Sequence, residues 1–481
     1  MFSSIGYMEP NQVAHVVVFP VPAQGHVNSM LKLAELLCLS NLHITFVNTE
    51  HYHHRLLKYT DVQARFSVFP LFRFETVPDG FPDYHPRSIA YVNEMLENFQ
   101  SVMQPAFKQL LVSDHMKSRP PVTCIIADGL MGASIDVANE LKIPSIAFRT
   151  ASACYLWSSF CYQKLVDAGE IPFDDADLDK LVTSIPGMET FLRKRDFPTF
   201  YRAKDLSDQF LQVATTATMS STRASATIHN TFDDLEGPIL STMAPHFPKS
   251  YTIGPLHAHL SYRLSLESSP SNSLWEVDRS CMSWLDSQPS KSVVYVSFGS
   301  IVSMTHVQML EFWYGLVNSG KRFLWVIRPN SVTEKEEDIK IPAFLTEGTK
   351  EKGYMVDWCP QEEVLVHPAV AGFVTHSGWN STLESIVAGI PMVCWPRVGD
   401  QPINSRFVEE IWRIGLDMKD TCDRSTVEMM VNDLMDHKRD ELMISMGKMS
   451  EMARKSVRKG GSSYSNLDAL IEDIKAMNFQ V

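Results

Sequence analysis

The chain has 481 residues, of which 44% are hydrophobic and 21% are charged, a composition typical of a globular protein with room for two domains. Its 56 acidic residues outnumber 43 Lys and Arg, giving a formal net charge of -13, so nucleic acid would be repelled and is not an expected partner. The N-terminus lacks the pattern of a signal peptide, and no apolar run approaches the roughly 20 residues of a membrane span. We therefore expect a cytoplasmic protein without a transmembrane segment, and a monomer.

The first half of the chain begins with a βαβ pattern. An apolar run at residues 13–19 precedes a Pro/Gly loop, a helical pattern of leucines and a second strand at 44–47. Further buried strands are predicted at 122–127 and 145–148. Because these runs are apolar on both faces and are separated by helices, they indicate a parallel sheet covered on both sides.

The hydrophobic periodicity stops in a Ser-rich stretch near residues 257–278 and then begins again. The sequence thus predicts an α/β protein of two doubly wound Rossmann-like domains. We place the first domain at 1–255, a linker or loop at 256–275 and the second domain at 276–460. The amphipathic segment 461–481 is predicted to be a helix that packs back on the first domain.

The stretch "THSGWNSTLES" at 375–385 follows a predicted strand and opens a predicted helix, which runs from about Asn380 to Ala388 before Gly389 ends it. The free amides and positive dipole end of such a helix attract anions, so a phosphate fits beside Asn380 and Ser381. Ser381 and Glu384 also match a capping box, which needs no ligand. Trp379 is an unusual residue for the solvent-facing turn that the pattern predicts.

A wider window, "WCPQEEVLVHPAVAGFVTHSGWNSTLESIVAGIPMVCWPRVGDQ" at 358–401, strongly resembles the signature box of plant family-1 UDP-sugar-dependent glycosyltransferases. The resemblance implies a GT-B fold, in which the two domains face each other across a cleft, with the first domain binding an acceptor and the second binding a UDP-sugar. It also implies that Trp358 stacks on uracil and that the Cys359 backbone pairs with the base, while Gln361 and Glu384 hold the ribose. His376, Asn380 and Ser381 are then expected to contact the diphosphate. The sugar is expected to be bound by Asp400, Gln401 and the backbone near Trp379. Two residues outside the box complete the expected donor site: Ser300, past the strand "VYVSFGS", near a phosphate, and Thr150 near the primary hydroxyl of the sugar.

Catalysis is expected at the start of the chain. His26 follows the first strand, and the family resemblance implies that it is the general base, oriented by Asp128 at the end of a later strand of the same sheet. An Asp partner would fix the tautomer of the imidazole and stabilise the imidazolium that forms. Taken singly, both residues could be structural. Together they favour a single inverting displacement.

The donor is expected to be UDP-glucose, since Gln401 is associated with glucose use in the family. No metal or other cofactor is expected, because the donor box contains no DxD motif and "HYHH" at 51–54 is interpreted as a solvated helix start. "ITFVNTEHYHHRLL", "CWPRVGDQ" and "IGLDMKDTCDR" resemble the branch that includes the 7-deoxyloganetic acid glucosyltransferases of iridoid biosynthesis. That implies a small terpenoid-like acceptor. Arg149 and Arg397 are candidates for contacting an acceptor carboxylate, or are structural arginines paired within the protein.

Other classes of protein are less compatible with the sequence. A nicotinamide-dependent dehydrogenase would carry GxGxxG after a strand, and an α/β-hydrolase would carry GxSxG; neither motif is present. A flavonoid or simple-phenol glucosyltransferase stays open, and so does a non-catalytic nucleotide-sugar-binding protein, which would not need the pair His26 and Asp128.

Overall fold

Two separate parallel sheets organise the part of the chain that the computed structural model describes, residues 13–87, 91–202, 209–329, 331–333 and 343–477. The extreme N-terminus, interpreted above as free of a signal peptide, lies outside these residues. The strands are β1 His15–Phe19, β2 His43–Thr49, β3 Phe72–Val77, β4 Val122–Asp128, β5 Ser145–Arg149, β6 Ala226–His229, β7 Lys249–Thr252, β8 Val293–Ser297, β9 Arg322–Val326, β10 Gly353–Val356, β11 Val370–Thr375, β12 Met392–Cys394 and β13 Gly415–Asp417.

Helices cover both faces of each sheet. They are α1 Gln24–Cys38, α2 Glu50–Tyr59, α3 Val62–Phe66, α4 Val92–Asn98, α5 Gln104–Val112, α6 Asp114–Lys117, α7 Gly132–Glu140, α8 Ala153–Phe160, α9 Tyr162–Asp167, α10 Gln209–Ser221, α11 Asp233–Met243, α12 Leu256–Leu264, α13 Ser280–Asp286, α14 His306–Asn318, α15 Ala343–Lys352, α16 Gln361–Val366, α17 Trp379–Ala388, α18 Gln401–Arg406, α19 Arg424–Asn432, α20 Arg439–Ser456 and α21 Ser462–Met477.

The strand order reverses once in each sheet. The first sheet has the order β3-β2-β1-β4-β5-β6-β7 and the second has the order β10-β9-β8-β11-β12-β13, with all neighbours parallel. The reversals fall between β1 and β4 and between β8 and β11. Ligands of doubly wound proteins bind outside the carboxyl ends of the strands at these points. The predicted pair of Rossmann-like sheets is confirmed, and its topology marks two adjacent sites.

The segment expected to be a loop at 256–275 differs from that prediction, because its first half is helix α12. Leu256, His259 and Leu260 are buried at i, i+3 and i+4 on the side of α12 that packs against α1. The ring of His259 bonds to the carbonyl oxygen of Ile253 at 3.0 Å. Ser265 ends the helix with a left-handed φ of 56°. A helix of nine residues with two histidines on it gives too short an apolar pattern to stand out from a Ser-rich sequence.

Helix α21 returns to the first sheet. It packs along β7, and Leu467, Leu470, Ile471 and Ile474 are buried in the same apolar cluster as the first-sheet strands. Asp473 accepts hydrogen bonds from Lys249 and Tyr251 on β7. The chain therefore crosses to the second domain and closes on the first.

Three features of composition can now be placed. All eight cysteines are free thiols, and seven are buried. In the described ranges, no helix has the length and hydropathy to cross a membrane. Nor do three or more His, Cys, Asp or Glu side chains come together within those ranges in a group able to hold a metal ion.

Candidate active site

His26 and Asp128 meet at the reversal point of the first sheet. His26 lies in the first turn of α1, just beyond β1, and Asp128 is the last residue of β4. The His26 Nδ1 to Asp128 Oδ2 distance is 2.7 Å. Asp128 is 1% exposed and the His26 side chain is 18% exposed. With Nδ1 engaged by the carboxylate, Nε2 is the ring nitrogen left to accept a proton from a bound molecule.

The carboxylate of Asp128 is held in its ionised form. Burial alone would raise its pKa, but the charge and hydrogen bond of His26 and the backbone amide of Leu130 outweigh burial and lower the pKa below its usual value. Thr150, just after β5, places Oγ1 3.0 Å from His26 Nδ1. The predicted sugar contact Thr150 therefore lies beside the base.

A second carboxylate reaches this point from the other domain. Asp400, at the start of α18, accepts a hydrogen bond from Asn404 Nδ2 at 2.8 Å. Burial raises the pKa of Asp400 to about 6, while the Asn404 hydrogen bond and the nearby charge of His26 act in the opposite direction. Asn404 Oδ1 also accepts from Ser152 Oγ of the first domain at 2.7 Å. Asp400 and His26 thus lie close enough to interact across the interface between the domains.

Gln401 folds its own loop. Its Oε1 accepts hydrogen bonds from the backbone amides of Arg397 at 2.9 Å and Val398 at 3.0 Å. Only the amide NH2 group of this buried residue remains to donate to a ligand. As a result, a bound sugar would meet Gln401 as a hydrogen-bond donor.

His376 and Ser300 lie at the reversal point of the second sheet. His376 directly follows β11 and is 8% exposed, and Ser300 is half-buried in the turn after β8. Burial, assisted by the charge of Arg328, lowers the pKa of His376 to about 4, so its ring is neutral near pH 7. Glycine is required on both sides of the ring, since a Cβ on Gly299 or Gly378 would come within 2.5 Å of it.

The start of α17 corrects the capping-box interpretation. The N-cap is Gly378, which has no side chain to cap the helix, and Ser381 is already the third helical residue. Ser381 accepts a hydrogen bond from Gln361 Nε2 at 2.9 Å, and Glu384 accepts another from the same amide at 2.6 Å. With Gly at the cap, the first amides of α17 remain free of a side-chain acceptor, as an anion site requires. Gly389 ends the helix with a φ of 76°, as predicted.

Trp379 and Asn380 join the two domains. Trp379 is 3% exposed, so the expectation of a solvent-facing tryptophan is wrong; its indole nitrogen donates to the carbonyl oxygen of Asn230 at 2.8 Å. Asn380 Nδ2 donates to the carbonyl oxygen of Gly25 at 2.9 Å, and its Oδ1 accepts from Ser29 at 2.9 Å. The side chain of Asn380 is occupied by the first domain, so a diphosphate here would meet its backbone amide.

The residues expected to hold the ribose form one hydrogen-bonded chain. The Tyr295 hydroxyl donates to Gln361 Oε1 at 3.1 Å and lies 3.3 Å from Cys359 Sγ. Gln361 passes the chain on to Ser381 and Glu384. Burial raises the pKa of Glu384 to about 7, and the negative charge of the neighbouring Glu362 acts in the same direction. This network aligns Glu384 before any ligand binds.

Trp358 stacks on Trp275, a residue of the linker, with ring centroids 5.1 Å apart at an interplanar angle of 30°. Cys359 is buried, and its thiol points to Tyr295. The guanidinium of Arg55 on α2 lies over the Trp275 ring, 5.1 Å from its centroid. The expected uracil platform is therefore supported from the first domain.

The two arginine candidates differ in their surroundings. Arg149 is 2% exposed and donates to the carbonyl oxygen of Gly129 at 2.9 Å and to Ser221 at 3.4 Å, within the first domain. Arg397 lies 4.7 Å from the Trp395 ring and lines a cavity of about 340 Å³ with Phe197 and Val398. In the described part of the chain, its guanidinium has no carboxylate partner.

Sequence reasoning missed several residues that shape the site. Lys32, Glu362, Asn404, Asn230 and Tyr295 make the contacts that hold the domains and the donor residues together. Asn404 lies one helical turn after Asp400, a spacing that could have drawn attention to it. For the others, the partner lies more than 60 residues away and the sequence carries no signal.

Known structures match this arrangement over the whole chain. The chain superposes on the crystal structure of Os79 from O. sativa in complex with UDP with a TM-score of 0.80 and 29% identity, covering 95% of this chain and 100% of that one. Two Rossmann-like domains with a donor box in the second and a His–Asp pair in the first define a GT-B glycosyltransferase, an enzyme class.

Sequence relatives place the chain more narrowly. The model of the family "UDP-glucoronosyl and UDP-glucosyl transferase" matches residues 81–446, and the chain belongs to that family. It is 55% identical over 480 residues to 7-deoxyloganetic acid glucosyltransferase of Catharanthus roseus, covering 98% of this chain and 100% of the relative. Myricetin 3-O-rhamnoside 1,2-glucosyltransferase of Crocosmia x crocosmiiflora is 44% identical, covering 96% of each chain. The chain is a plant family-1 UDP-glycosyltransferase of the branch that contains the Catharanthus enzyme.

Proposed function

We propose that this enzyme is an inverting O-glucosyltransferase that moves glucose from UDP-glucose to a hydroxyl of a small lipophilic iridoid or terpenoid acid such as 7-deoxyloganetic acid. The observation that carries the proposal is the 2.7 Å contact between His26 and Asp128 at the cleft edge of the first sheet, facing the donor residues of the second. A protein that only bound nucleotide sugars would not need this pair.

Each group has a proposed task in a single displacement. His26 Nε2 removes the proton of the acceptor hydroxyl while Asp128 stabilises the imidazolium that forms. The acceptor oxygen then attacks the anomeric carbon from the face opposite the departing UDP, and the configuration at that carbon inverts. The C–O bond to the diphosphate breaks as the new C–O bond forms.

The leaving UDP needs stabilisation as negative charge develops on the diphosphate. The free amides at the start of α17, the neutral ring of His376 and the Ser300 hydroxyl are the groups proposed for this role. In this mechanism they take the place that a metal ion occupies in other glycosyltransferases, so the proposal includes neither a metal nor another cofactor.

The donor and its base are proposed to bind to the remaining box residues. Trp358 would stack on uracil, the backbone of Cys359 would pair with the base, and Gln361 and Glu384 would align the ribose. Glucose would contact Asp400, the NH2 group of Gln401, and Thr150. The names of both relatives above, which are glucosyltransferases, support glucose as the sugar.

An acidic acceptor is supported by the 55% identity to an enzyme named for an acid and by the surroundings of Arg397. Arg397 is the better placed of the two arginine candidates, because it lines a cavity without a carboxylate partner in the described residues, whereas Arg149 is buried and hydrogen-bonded. A charge-assisted hydrogen bond to a carboxylate would then favour the acid over its ester.

A flavonoid acceptor is the second candidate, since the 44% identical relative is named for a myricetin rhamnoside. Both candidates use the same donor and the same base, so only acceptor turnover separates them.

The test is product mass spectrometry with UDP-glucose and a panel of 7-deoxyloganetic acid, its methyl ester, a flavonol glycoside and a simple phenol. We expect a β-glucoside of the acid as the main product and weaker turnover of the ester. In His26→Ala, turnover should fall about 10²- to 10⁴-fold, the range typical of a lost general base, while UDP binding stays near the wild-type value.

Preference for the flavonol would transfer the assignment to the second candidate. Turnover in His26→Ala equal to that of wild type would reject the proposed base, and UDP binding without any product would favour the non-catalytic binder.

A further inference from the structure

Helix α1 belongs to the first domain but contacts the donor residues of the second along its length. Its first turn carries His26 and bonds to Asn380 through Gly25, and Ser29 bonds to Asn380 one turn later. Next along the helix, Lys32 lies against α16 of the second domain. The helix that holds the proposed base therefore also borders the proposed ribose site.

Lys32 makes a buried ion pair across this interface. Its ammonium, 3% exposed, contacts Glu362 Oε1 on α16. The other oxygen of Glu362 accepts hydrogen bonds from the Ser269 hydroxyl at 2.6 Å and the Ser269 amide at 3.3 Å. An ion pair out of water stabilises a protein only when its remaining oxygens are also satisfied, and here the linker supplies the missing donors.

Glu362 is sequence neighbour to Gln361, whose amide holds Glu384 at 2.6 Å. Glu362 and Glu384 also line one cavity of about 240 Å³. Two carboxylates thus line one cavity at the proposed ribose end of the donor site, and the Lys32 ammonium is paired with one of them, Glu362.

We propose that Lys32 is a positioning residue for the donor site: its ammonium balances the two carboxylates of Glu362 and Glu384, so that Glu384 can lose its proton near neutral pH and accept the ribose hydroxyls. The inference rests on the proposed function, in which Glu384 binds the ribose.

The directions of the electrostatic effects agree with this geometry. Burial is the largest cause that raises the pKa of Glu384 to about 7, and Glu362 raises it further, whereas Lys32 and the Gln361 hydrogen bond lower it. Without Lys32, the same carboxylate would be protonated at neutral pH and would lose an acceptor for the ribose diol.

Other ionisable groups around Glu384 come from α12 and the linker, from α20 and the turn after it, and from β8. They are His257, Tyr262, Glu267, Arg454, Arg458 and Tyr295. Arg454 is occupied by the carbonyl oxygen of Val387 at 2.6 and 2.9 Å. Burial lowers the pKa of His257 to about 4, so it is neutral near pH 7. Burial raises the pKa of Tyr295 well above its ordinary value, so it is neutral as well. Glu35, which also interacts with Lys32, has Arg65 as its own partner at 3.4 Å.

The experiment compares the binding affinities of UDP and 2′-deoxy-UDP by calorimetry between about pH 5.5 and 8.5, a range that spans the titration of a group with a pKa near neutrality. The ratio of the two affinities isolates the ribose contact, because the phosphates of both nucleotides titrate alike. In wild type, the preference for UDP should rise as the pH increases through about 7 and Glu384 loses its proton.

Lys32→Met keeps the length of the side chain and removes its charge. We expect the rise in UDP preference to move to higher pH, with the preference at pH 7 falling about fivefold for the first pH unit of the move and about tenfold for each further unit. Lys32→Arg should restore the wild-type profile, since it returns the charge.

Glu362→Gln is the matched control. It removes the negative charge that raises the pKa of Glu384, so the rise in UDP preference should move in the opposite direction, to lower pH. Damage to the packing would weaken UDP and 2′-deoxy-UDP together and would leave the ratio unmoved. The double variant Lys32→Met with Glu362→Gln should return the profile toward that of wild type.

The inference would be overturned if the pH dependence of the affinity ratio were unchanged in both single variants. It would also be overturned if Lys32→Met and Glu362→Gln moved that pH dependence in the same direction. If Lys32→Met does not fold, Glu362→Gln alone decides: a move to lower pH supports the inference, and no move or a move to higher pH overturns it. Failure of the proposed function is recognised separately, as an absence of UDP release by wild type with every acceptor, or as no UDP preference in wild type at any pH.

Discussion

The two halves of the Gln401 side-chain amide have different surroundings. Its oxygen fixes the loop through the amides of Arg397 and Val398, and its NH2 group remains for the sugar. The same residue therefore shapes the loop and is proposed to bind the sugar. A substitution that preserves the first task and removes the second can separate them.

Gln401→Glu keeps an oxygen for both backbone amides and deletes the NH2 donor. We expect the KM for UDP-glucose to rise about tenfold or more, the effect of losing one hydrogen bond of about 1.4 kcal/mol, and a new negative charge beside Asp400 acts in the same direction. Calorimetry with UDP is the control, because UDP lacks the glucosyl group and should bind nearly as in wild type. An equal loss of UDP affinity would show instead that the loop had collapsed.

Sequence motifs predict which residues form the site better than they predict what those residues contact. His26, Asp128 and the box residues were assigned from sequence, and His26 and Asp128 do meet at 2.7 Å. The capping-box interpretation of Ser381 and the expected exposure of Trp379 are corrected by the structure, because the partners of these side chains, Gln361 and Asn230, come from other segments of the chain. A turn pattern signals a helix start, but it does not reveal what covers the turn.

Helix α21 shows how an element depends on the rest of the fold. Its apolar residues at 467, 470, 471 and 474 follow helical spacing and are buried against the first sheet, while Glu472 points away and its side chain is 71% exposed. The amphipathic pattern predicts a helix with one buried face. Only the position of β7 determines what that face covers.

Leu470→Ala tests this packing. Removing a fully buried leucine should cost about 2–4 kcal/mol of stability, from lost burial and from the cavity left behind. Thermal unfolding should occur at a lower temperature than in wild type, and Glu472→Ala on the exposed face should change it little. Similar melting of the two variants would contradict the docking of α21 on the first sheet.

The molecule as a whole is joined across its domain interface. One apolar cluster includes Leu235 and Ile239 of α11 together with Phe407 and Trp412 of the second domain, and the Trp412 indole donates to the carbonyl oxygen of Leu235 at 3.1 Å. Lys419 of the second domain pairs with Asp196 of the first at 2.6 Å. These contacts couple the domains in addition to those of α1 and α17.

We expect a single calorimetric transition, because unfolding either domain would expose this shared core. UDP at 100 times its Kd should raise the stability of the whole molecule by about 2.7 kcal/mol, although it binds residues of one domain. Two transitions, of which UDP shifted only one, would show that the interface contributes little to cooperativity. His26→Ala is a suitable control, as it should leave UDP binding and the UDP-induced shift unchanged.

The sequence by itself determined the class of fold, the family and the identity of the residues at the two strand reversals, because periodicity and local motifs are properties of neighbouring residues. It did not reveal helix α12, the Gly378 cap or the burial of Trp379, since these depend on packing against remote segments. Tertiary structure alone decided that Lys32 meets Glu362 across 330 residues and that the backbone amides of its own loop occupy the side-chain oxygen of Gln401. Such contacts form only when the domains meet, and no spacing in the chain encodes them.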